Sequence, residues 1–127
     1  MLLYVTIGTN DLYRAGHFYD AVLSALGYRR QHYSEEEIGY SADGDTRCRF
    51  WVVTPFNRRR ASAGNGAMVA LAAETRAAVD AFHAAAIAAG AVDEGGPGLR
   101  PYHAHFYAAY VRDLDGNKLS AVCESPE

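Results

Sequence analysis

Two stretches of the chain repeat one hydrophobic pattern, in which a short apolar strand leads into an amphipathic helix that ends at glycine. The first stretch runs from Tyr4-Val5-Thr6-Ile7 to Gly27, and the second runs from Met68-Val69-Ala70-Leu71 to Gly90. The offset between them is 64 positions at the strand and 63 at the glycine. Because this offset is nearly constant, the pattern predicts a duplicated structural unit.

Each predicted helix has its own start signal and its own packing face. Asn10 or Asp11 can cap the first helix and Thr75 can cap the second, because short polar side chains accept hydrogen bonds from the free amides of a first turn. Apolar residues then recur at helical spacing, among them Leu12, Ala15, Phe18, Tyr19, Val22, Leu23 and Leu26 in the first helix and Ala78, Val79, Phe82, Ala86 and Ala89 in the second. We therefore expect each helix to cover one face of a sheet.

Three segments with strand character follow each helix. They are residues 28–33, 37–41 and 48–54 in the first half, and residues 91–94, 106–112 and 118–123 in the second. Asp43-Gly44-Asp45 and the run from Asp113 to Asn117 tolerate positive φ, so each is expected to join two antiparallel strands. Gly95-Gly96-Pro97-Gly98 lacks the following helix that phosphate binding would require, and it is predicted to be a flexible rim loop. Each half is thus predicted as β-α-β-β-β, which makes an α+β fold.

The length of 127 residues fits one compact domain, and a hydrophobic content of 50% is typical of globular proteins. Within this single domain, 1–127, we expect module one at about 1–57, a polar linker at about 58–66 and module two at about 67–127. The net charge is −3 and the only basic run is Arg58-Arg59-Arg60, so no nucleic-acid partner is expected.

The opening segment is too short to span a bilayer and has no signal-peptide features, so we expect no membrane partner and a cytoplasmic location. Cys48 and Cys123 lie in apolar runs without C-x-x-C spacing. This placement favours reduced, buried thiols over a disulfide or a zinc site.

Three local motifs resemble those of the vicinal-oxygen-chelate superfamily, which includes glyoxalases, bleomycin resistance proteins and extradiol dioxygenases. Asp11-Leu12-Tyr13-Arg14-Ala15 followed by His17-Phe18-Tyr19 is similar to the family's D-L-x-R-[AS]-x-x-F-Y opening, and Leu23-Ser24-Ala25-Leu26-Gly27-Tyr28 is similar to its L-x-x-L-G-[FY] helix end. The run from Asp113 to Leu119 resembles its final D-P-D-G-N-x-[IL] hairpin, with Leu114 in place of proline. The resemblance covers the whole chain and implies two modules that form a curved, mainly antiparallel sheet around a cup, with the helices outside. It also implies a homodimer.

In metal-dependent relatives, the resemblance places a divalent ion in the cup, held by His or Glu side chains. The corresponding positions here are Tyr4, Met68, Ser120 and, on the strand 48–54, Trp51 or else Phe50. None of these residues is a normal ligand for a hard divalent ion. We therefore expect no metal and no other cofactor.

Strand alternation predicts which residues line the cup. The predicted ligand-binding residues are Tyr4, Thr6, Trp51, Met68, Phe106, Tyr110 and Ser120. If Asp113 pairs with Asn117 in the final hairpin, Tyr110 stands opposite Ser120. Aromatic rings and a methionine would supply stacking and apolar surface for a ligand.

The catalytic residues are unknown from the sequence, and His103, His105 and Tyr110 are the candidates. His103 and His105 are spaced so that both imidazoles can share one face of an extended segment, but no third metal ligand is evident nearby. They could act as an acid–base pair or lie in an exposed loop. His17, His32 and His83 are expected at the surface.

Three functions stay open at this point. The first is a glyoxalase- or bleomycin-resistance-like protein that binds a small, flat, partly apolar molecule in a metal-free cup. The alternative is a metal-dependent lyase, isomerase or dioxygenase of the same superfamily with a non-standard ligand set that includes His103 or His105. The third is a structural or regulatory dimer.

Overall fold

The structure is a computed structural model that describes residues 1–127. Along the chain the elements are β1 (Val5–Gly8), α1 (Leu12–Ser24), β2 (Tyr28–Tyr33), β3 (Glu37–Ala42), β4 (Phe50–Val53), β5 (Val69–Ala72), α2 (Arg76–Ala88), β6 (Val92–Leu99), β7 (Tyr107–Arg112) and β8 (Lys118–Cys123). Each half is β-α-β-β-β, so the α+β fold with two repeated units is confirmed.

The strands form two four-stranded sheets, which we call the first sheet (β1-β4-β3-β2) and the second sheet (β5-β8-β7-β6). In each sheet the outer strand β1 or β5 runs parallel to its neighbour, and the other pairs are antiparallel. The two sheets do not join into one continuous sheet, because β1 and β5 are both edge strands without a pairing to each other. The sequence predicts the repeated unit but not this division.

The helix ends follow local rules. Of the two possible caps of α1, Asp11 is the one used, and its carboxylate accepts a hydrogen bond from the Arg14 amide at 3.0 Å. Thr75 caps α2 in the same way. Gly27 and Gly90 have φ angles of 80° and 102°, which lie in the left-handed region that ends helices and favours glycine.

The prediction of a flexible loop at Gly95-Gly96-Pro97-Gly98 is wrong, since these residues belong to β6, and Gly95 and Gly98 pair with β7. The pairing register shifts twice along this strand, and Gly95 has a φ of 152°. Glycine permits such irregular backbone, so the strand continues past the point where a regular ladder would stop. Periodicity could not reveal it, because the segment has few side chains to carry a pattern.

The helices cover one face of each sheet and also pack against each other. Nineteen buried residues form one hydrophobic cluster that contains residues from both halves, with Phe18, Tyr19, Phe50 and Phe82 among its largest side chains. The shared core therefore lies between the two helices and the sheets, and the opposite face of each sheet is left for other contacts. No helix in the chain has both the length and the apolar character needed to cross a membrane.

Candidate ligand-binding site

Strand alternation divides the side chains of the first sheet between a core face and an open face. Ile38, Tyr40 and Val52 are fully buried in the core. Residues at alternate positions point the opposite way and line a cavity of about 710 Å³, which we call the Trp51 cavity. Its lining consists of Tyr4, Thr6, Gln31, His32, Glu37, Thr46, Arg47, Cys48, Trp51 and Val53.

A glycine determines the position of the largest side chain in this cavity. Gly39 on β3 is paired with Trp51 on β4, and a Cβ at Gly39 would lie 2.8 Å from the Trp51 ring and 2.7 Å from the Cys48 sulfur. Real Cβ atoms do not approach other atoms so closely, so the indole can lie across β3 only because residue 39 has no side chain. The result is a partly exposed aromatic wall beside open space.

Polar groups stand around this aromatic wall. The His32 imidazole lies 5.4 Å from the Trp51 ring at an angle of 59°, and its Nε2 is 4.0 Å from a carboxylate oxygen of Glu37. Gln31 accepts a hydrogen bond from the buried Ser41 hydroxyl at 3.3 Å. Arg47 enters the cavity lining from the β3–β4 loop. The site thus combines a ring for stacking with donors and one carboxylate.

The thiol of Cys48 also faces the cavity. Partial burial, with a smaller contribution from the negative charge of Asp45, raises the pKa of this thiol above its usual value. The thiol therefore stays protonated at neutral pH and is a poor nucleophile. Both cysteines are free. Cys123 is fully buried, as the sequence predicts, but Cys48 is only partly buried, because it lines the cavity.

The structure brings together only some of the predicted ligand-binding residues. Tyr4, Thr6 and Trp51 line the Trp51 cavity. Met68 instead lies with Tyr4 in a smaller, apolar groove of about 260 Å³, between the starts of β1 and β5. Phe106, Tyr110 and Ser120 belong to the second sheet and its approach, and they do not line either of these spaces.

The predicted register of the final hairpin is confirmed. The Asp113 amide donates to the Asn117 carbonyl at 2.9 Å, and Tyr110 pairs with Ser120. Ser120 is fully buried and its hydroxyl has no hydrogen-bond partner. Phe106 precedes this sheet and contacts the Tyr102 ring edge to face, at 4.9 Å between centroids.

The two candidate histidines lie away from the Trp51 cavity. His103 is exposed, and its Nε2 is 2.8 Å from the Glu124 carboxylate. Its Nδ1 accepts a hydrogen bond from the amide of His105, which is also exposed. Both rings are therefore in a surface turn before β7.

The residues present do not fit a divalent metal site. Tyr4, Trp51, Met68 and Ser120 occupy the positions that the resemblance assigns to metal ligands. Trp51 lies in the first sheet and Ser120 in the second, whereas Tyr4 and Met68 immediately precede β1 and β5. No group of three or more His, Cys, Asp or Glu side chains in the chain is placed to hold a metal ion. His32 and Glu37 come close together, but a structural or catalytic zinc site needs at least three protein ligands.

Sequence reasoning missed several residues of the cavity. His32 was expected at the surface, and it is exposed, but it also stands beside Trp51. Gln31, Glu37 and Cys48 join the lining through the pairing of β2, β3 and β4. The one available signal was Gly39, which interrupts an otherwise bulky strand and indicates a close approach by another group.

No protein-family model matches the sequence, and no curated protein matches it either. Solved structures do match. A glyoxalase/bleomycin resistance protein from Albidiferax ferrireducens T118 is 38% identical, with a TM-score of 0.86 and coverage of 97% of this chain and 98% of that chain. A glyoxalase/bleomycin resistance protein/dioxygenase family enzyme from Burkholderia phytofirmans PsJN shares the fold at 21% identity, with a TM-score of 0.72 and 98% of both chains covered.

A glyoxalase-related enzyme from Fulvimarina pelagi also shares the fold, at 19% identity and a TM-score of 0.74, over 97% of this chain and 87% of that chain. These two likenesses support the architecture, and the 38% identity with the Albidiferax protein supports common descent over nearly the whole chain. The resemblance seen in the motifs is confirmed: the chain belongs to the glyoxalase/bleomycin resistance/dioxygenase superfamily.

Proposed function

We propose that this protein binds a small, flat, partly apolar molecule in the Trp51 cavity, without a metal ion. The observation that carries this proposal is the Trp51 indole, which Gly39 allows to lie as a wall of a cavity of about 710 Å³. A planar ligand can stack on this ring, and aromatic pairs contribute about 0.5–1.5 kcal/mol beyond the burial of area. Cavities of this volume are typical of small-molecule sites.

The polar lining would orient the ligand. Thr6, Thr46 and His32 offer hydrogen-bond donors or acceptors, and Glu37 offers a carboxylate. A mixed lining of this kind favours a molecule that has an apolar ring and polar substituents at its edge. Such a ligand is bound by stacking, and its orientation is fixed by a few hydrogen bonds.

Binding, rather than reaction, is the function that these groups support. The raised pKa of Cys48 keeps its thiol protonated, and the 4.0 Å separation of His32 and Glu37 is too long for a hydrogen bond that would orient the imidazole. The Albidiferax relative carries both glyoxalase and bleomycin resistance in its name. Of these two kinds of function, catalysis and ligand sequestration, we propose ligand sequestration for this chain.

We propose further that the protein is a cytoplasmic homodimer. The groove between β1 and β5 is lined by apolar residues except for Arg49, and three of these lining residues, Leu2, Leu3 and Met68, are exposed. Both strands have a free edge. A second copy would cover this surface, and a monomeric mass in light scattering would contradict the dimer.

Trp51 is the only tryptophan in the chain, so its fluorescence reports directly on the cavity. We expect planar aromatic probes such as 1-naphthol, quinoline and coumarin to quench this emission saturably and to raise the melting temperature. The W51A variant should fold but lose the thermal stabilisation, whereas Y13A, which removes an exposed ring outside the cavity, should keep it. A chelator should change neither stability nor affinity. If a chelator lowers the melting temperature and a stoichiometric divalent ion restores it, the proposal is wrong.

A further inference from the structure

The side chain of Arg100 lies against the glycine-rich strand β6 of the second sheet. A Cβ at Gly95 or Gly98 would lie 3.2 or 3.1 Å from a terminal nitrogen of Arg100. The guanidinium lies 5.3 Å from the centre of the Tyr110 ring and donates a hydrogen bond of 2.7 Å to the Gly96 carbonyl. The lack of side chains along β6 therefore makes the space in which Arg100 folds back over the sheet.

A second cation contacts the same ring. The Lys118 ammonium, on β8, lies 5.6 Å from the centre of the Tyr110 ring. Tyr110 is on β7, between β6 and β8, and its neighbours Ala109 and Val111 are buried in the core. By strand alternation the ring and both cations are on the face that points away from the helices. We call this group of three residues the Arg100 face.

The positive charges of the Arg100 face are not neutralised by the protein. Arg112, two residues from Tyr110, forms an ion pair of 2.7 Å with Glu94 and donates to a backbone carbonyl. Arg100 and Lys118 have no carboxylate partner, and Arg100 bonds only to backbone carbonyls. A small anion bound at this face would supply the negatively charged partner that both side chains lack.

An unused hydroxyl lies next to this group. Ser120 is paired with Tyr110 across the two strands and is fully buried, yet its hydroxyl makes no hydrogen bond. Its neighbours Leu119 and Ala121 belong to the core, so the Ser120 side chain points to the side of the Arg100 face. Buried hydroxyl groups in proteins almost always have a partner, and an exception needs an explanation such as a ligand or a water molecule.

We propose that the Arg100 face is a binding site for a small oxyanion, with Arg100 as the residue that recognises it. A guanidinium presents a planar pair of donors that matches a carboxylate or phosphate group, and the Lys118 ammonium adds a second positive charge. The glycines of β6 hold the guanidinium in place before the anion arrives. This site is separate from the Trp51 cavity and does not depend on the function proposed for it.

Isothermal titration at constant ionic strength tests the site, with benzoate, acetate and inorganic phosphate as probes. We expect saturable binding of at least one of them, and the preferred probe tells whether the natural ligand is an organic acid or a phosphate. R100Q should weaken this binding about tenfold, since it removes a charge-assisted bidentate contact. R59Q removes an exposed positive charge from the segment between the sheets and should leave the affinity unchanged.

Two further variants distinguish a loss of binding at this site from a loss caused by misfolding of R100Q. K118Q should weaken binding without any change in β6, and G98A should weaken it by displacing the guanidinium while keeping every charge. W51A should bind the oxyanion as the wild type does, which separates this site from the Trp51 cavity. The proposal is overturned if none of the three probes binds saturably, or if the folded R100Q and K118Q variants bind as tightly as R59Q.

Discussion

The hydroxyl of Tyr19 donates a hydrogen bond of 2.5 Å to the carboxylate of Asp113, and this contact joins α1 of the first half to the final hairpin of the second. Asp113 also accepts hydrogen bonds from the amides of Asp115 and Asn117. The Asn117 side chain in turn donates to the Gly8 carbonyl, at the end of β1. The polar side chains of the final hairpin therefore stabilise the contact between the two halves through hydrogen bonds, in addition to forming the turn.

Replacing Tyr19 by phenylalanine should lower the free energy of unfolding by about 2 kcal/mol, because it leaves a buried carboxylate with one partner fewer. Urea denaturation measures this difference. Y13F is the matched control, because Tyr13 lies on the same helix but is exposed and makes no hydrogen bond through its hydroxyl. If Y19F and Y13F unfold at the same urea concentration, the contact does not stabilise the fold.

Stability should fall when the pH rises above about 10, the ordinary pKa of tyrosine. Burial, followed by the charge of Asp113, holds the pKa of Tyr19 well above that value, and burial and Asp20 raise the pKa of Tyr40. In this range the unfolded chain loses phenolic protons that the folded chain keeps, so rising pH favours unfolding. Denaturation at several pH values between neutral and strongly alkaline checks the slope. Y19F should flatten it and Y13F should not.

Replacing Gly39 by alanine adds a single methyl group and should displace the Trp51 ring in the cavity. The added Cβ would meet the indole and the Cys48 sulfur at less than 3 Å, so the ring must move, at a cost of about 1–3 kcal/mol. We expect a shift of the Trp51 emission maximum and weaker quenching by planar probes. G96A is the control, since a Cβ at Gly96 would meet nothing within 4 Å. Unchanged emission in G39A would show that the indole is not held against β3.

Replacing Ser120 by alanine should leave the free energy of unfolding unchanged or raise it by about 1 kcal/mol in protein free of small anions, because the buried hydroxyl has no partner to lose. Thermal denaturation measures the effect. S41A provides the contrast, since Ser41 is equally buried but donates to Gln31, and its loss should be destabilising. A clear destabilisation by S120A would mean that the hydroxyl has a partner in solution.

Local rules predict most of the secondary structure of this chain. The helices are capped by Asp11 and Thr75 and end near glycines with positive φ, because capping and chain reversal depend on a few neighbouring residues. The strand β8 has the predicted bounds, and the pairing of Tyr110 with Ser120 follows from the turn that precedes it. In β6 the sequence predicts the start, within residues 91–94, but not the glycine-rich continuation to Leu99, because that part has almost no side-chain pattern.

The sequence by itself determined the repeated β-α-β-β-β unit, the family and the absence of ordinary metal ligands at the expected positions, since all three depend on residue type and spacing along the chain. Only the tertiary structure decided which side chains share a space. Trp51 meets His32 and Gly39 because three strands pair in one register, and Arg100 meets Tyr110 because β6 has bulges. The structure also separated Trp51 from Tyr110 and Ser120, which the sequence placed in one cup, because β1 and β5 remain edges of two different sheets. Contacts between residues distant in sequence depend on which strands become neighbours and on how the sheets pack, and the hydrophobic pattern within one strand does not name its partner strand.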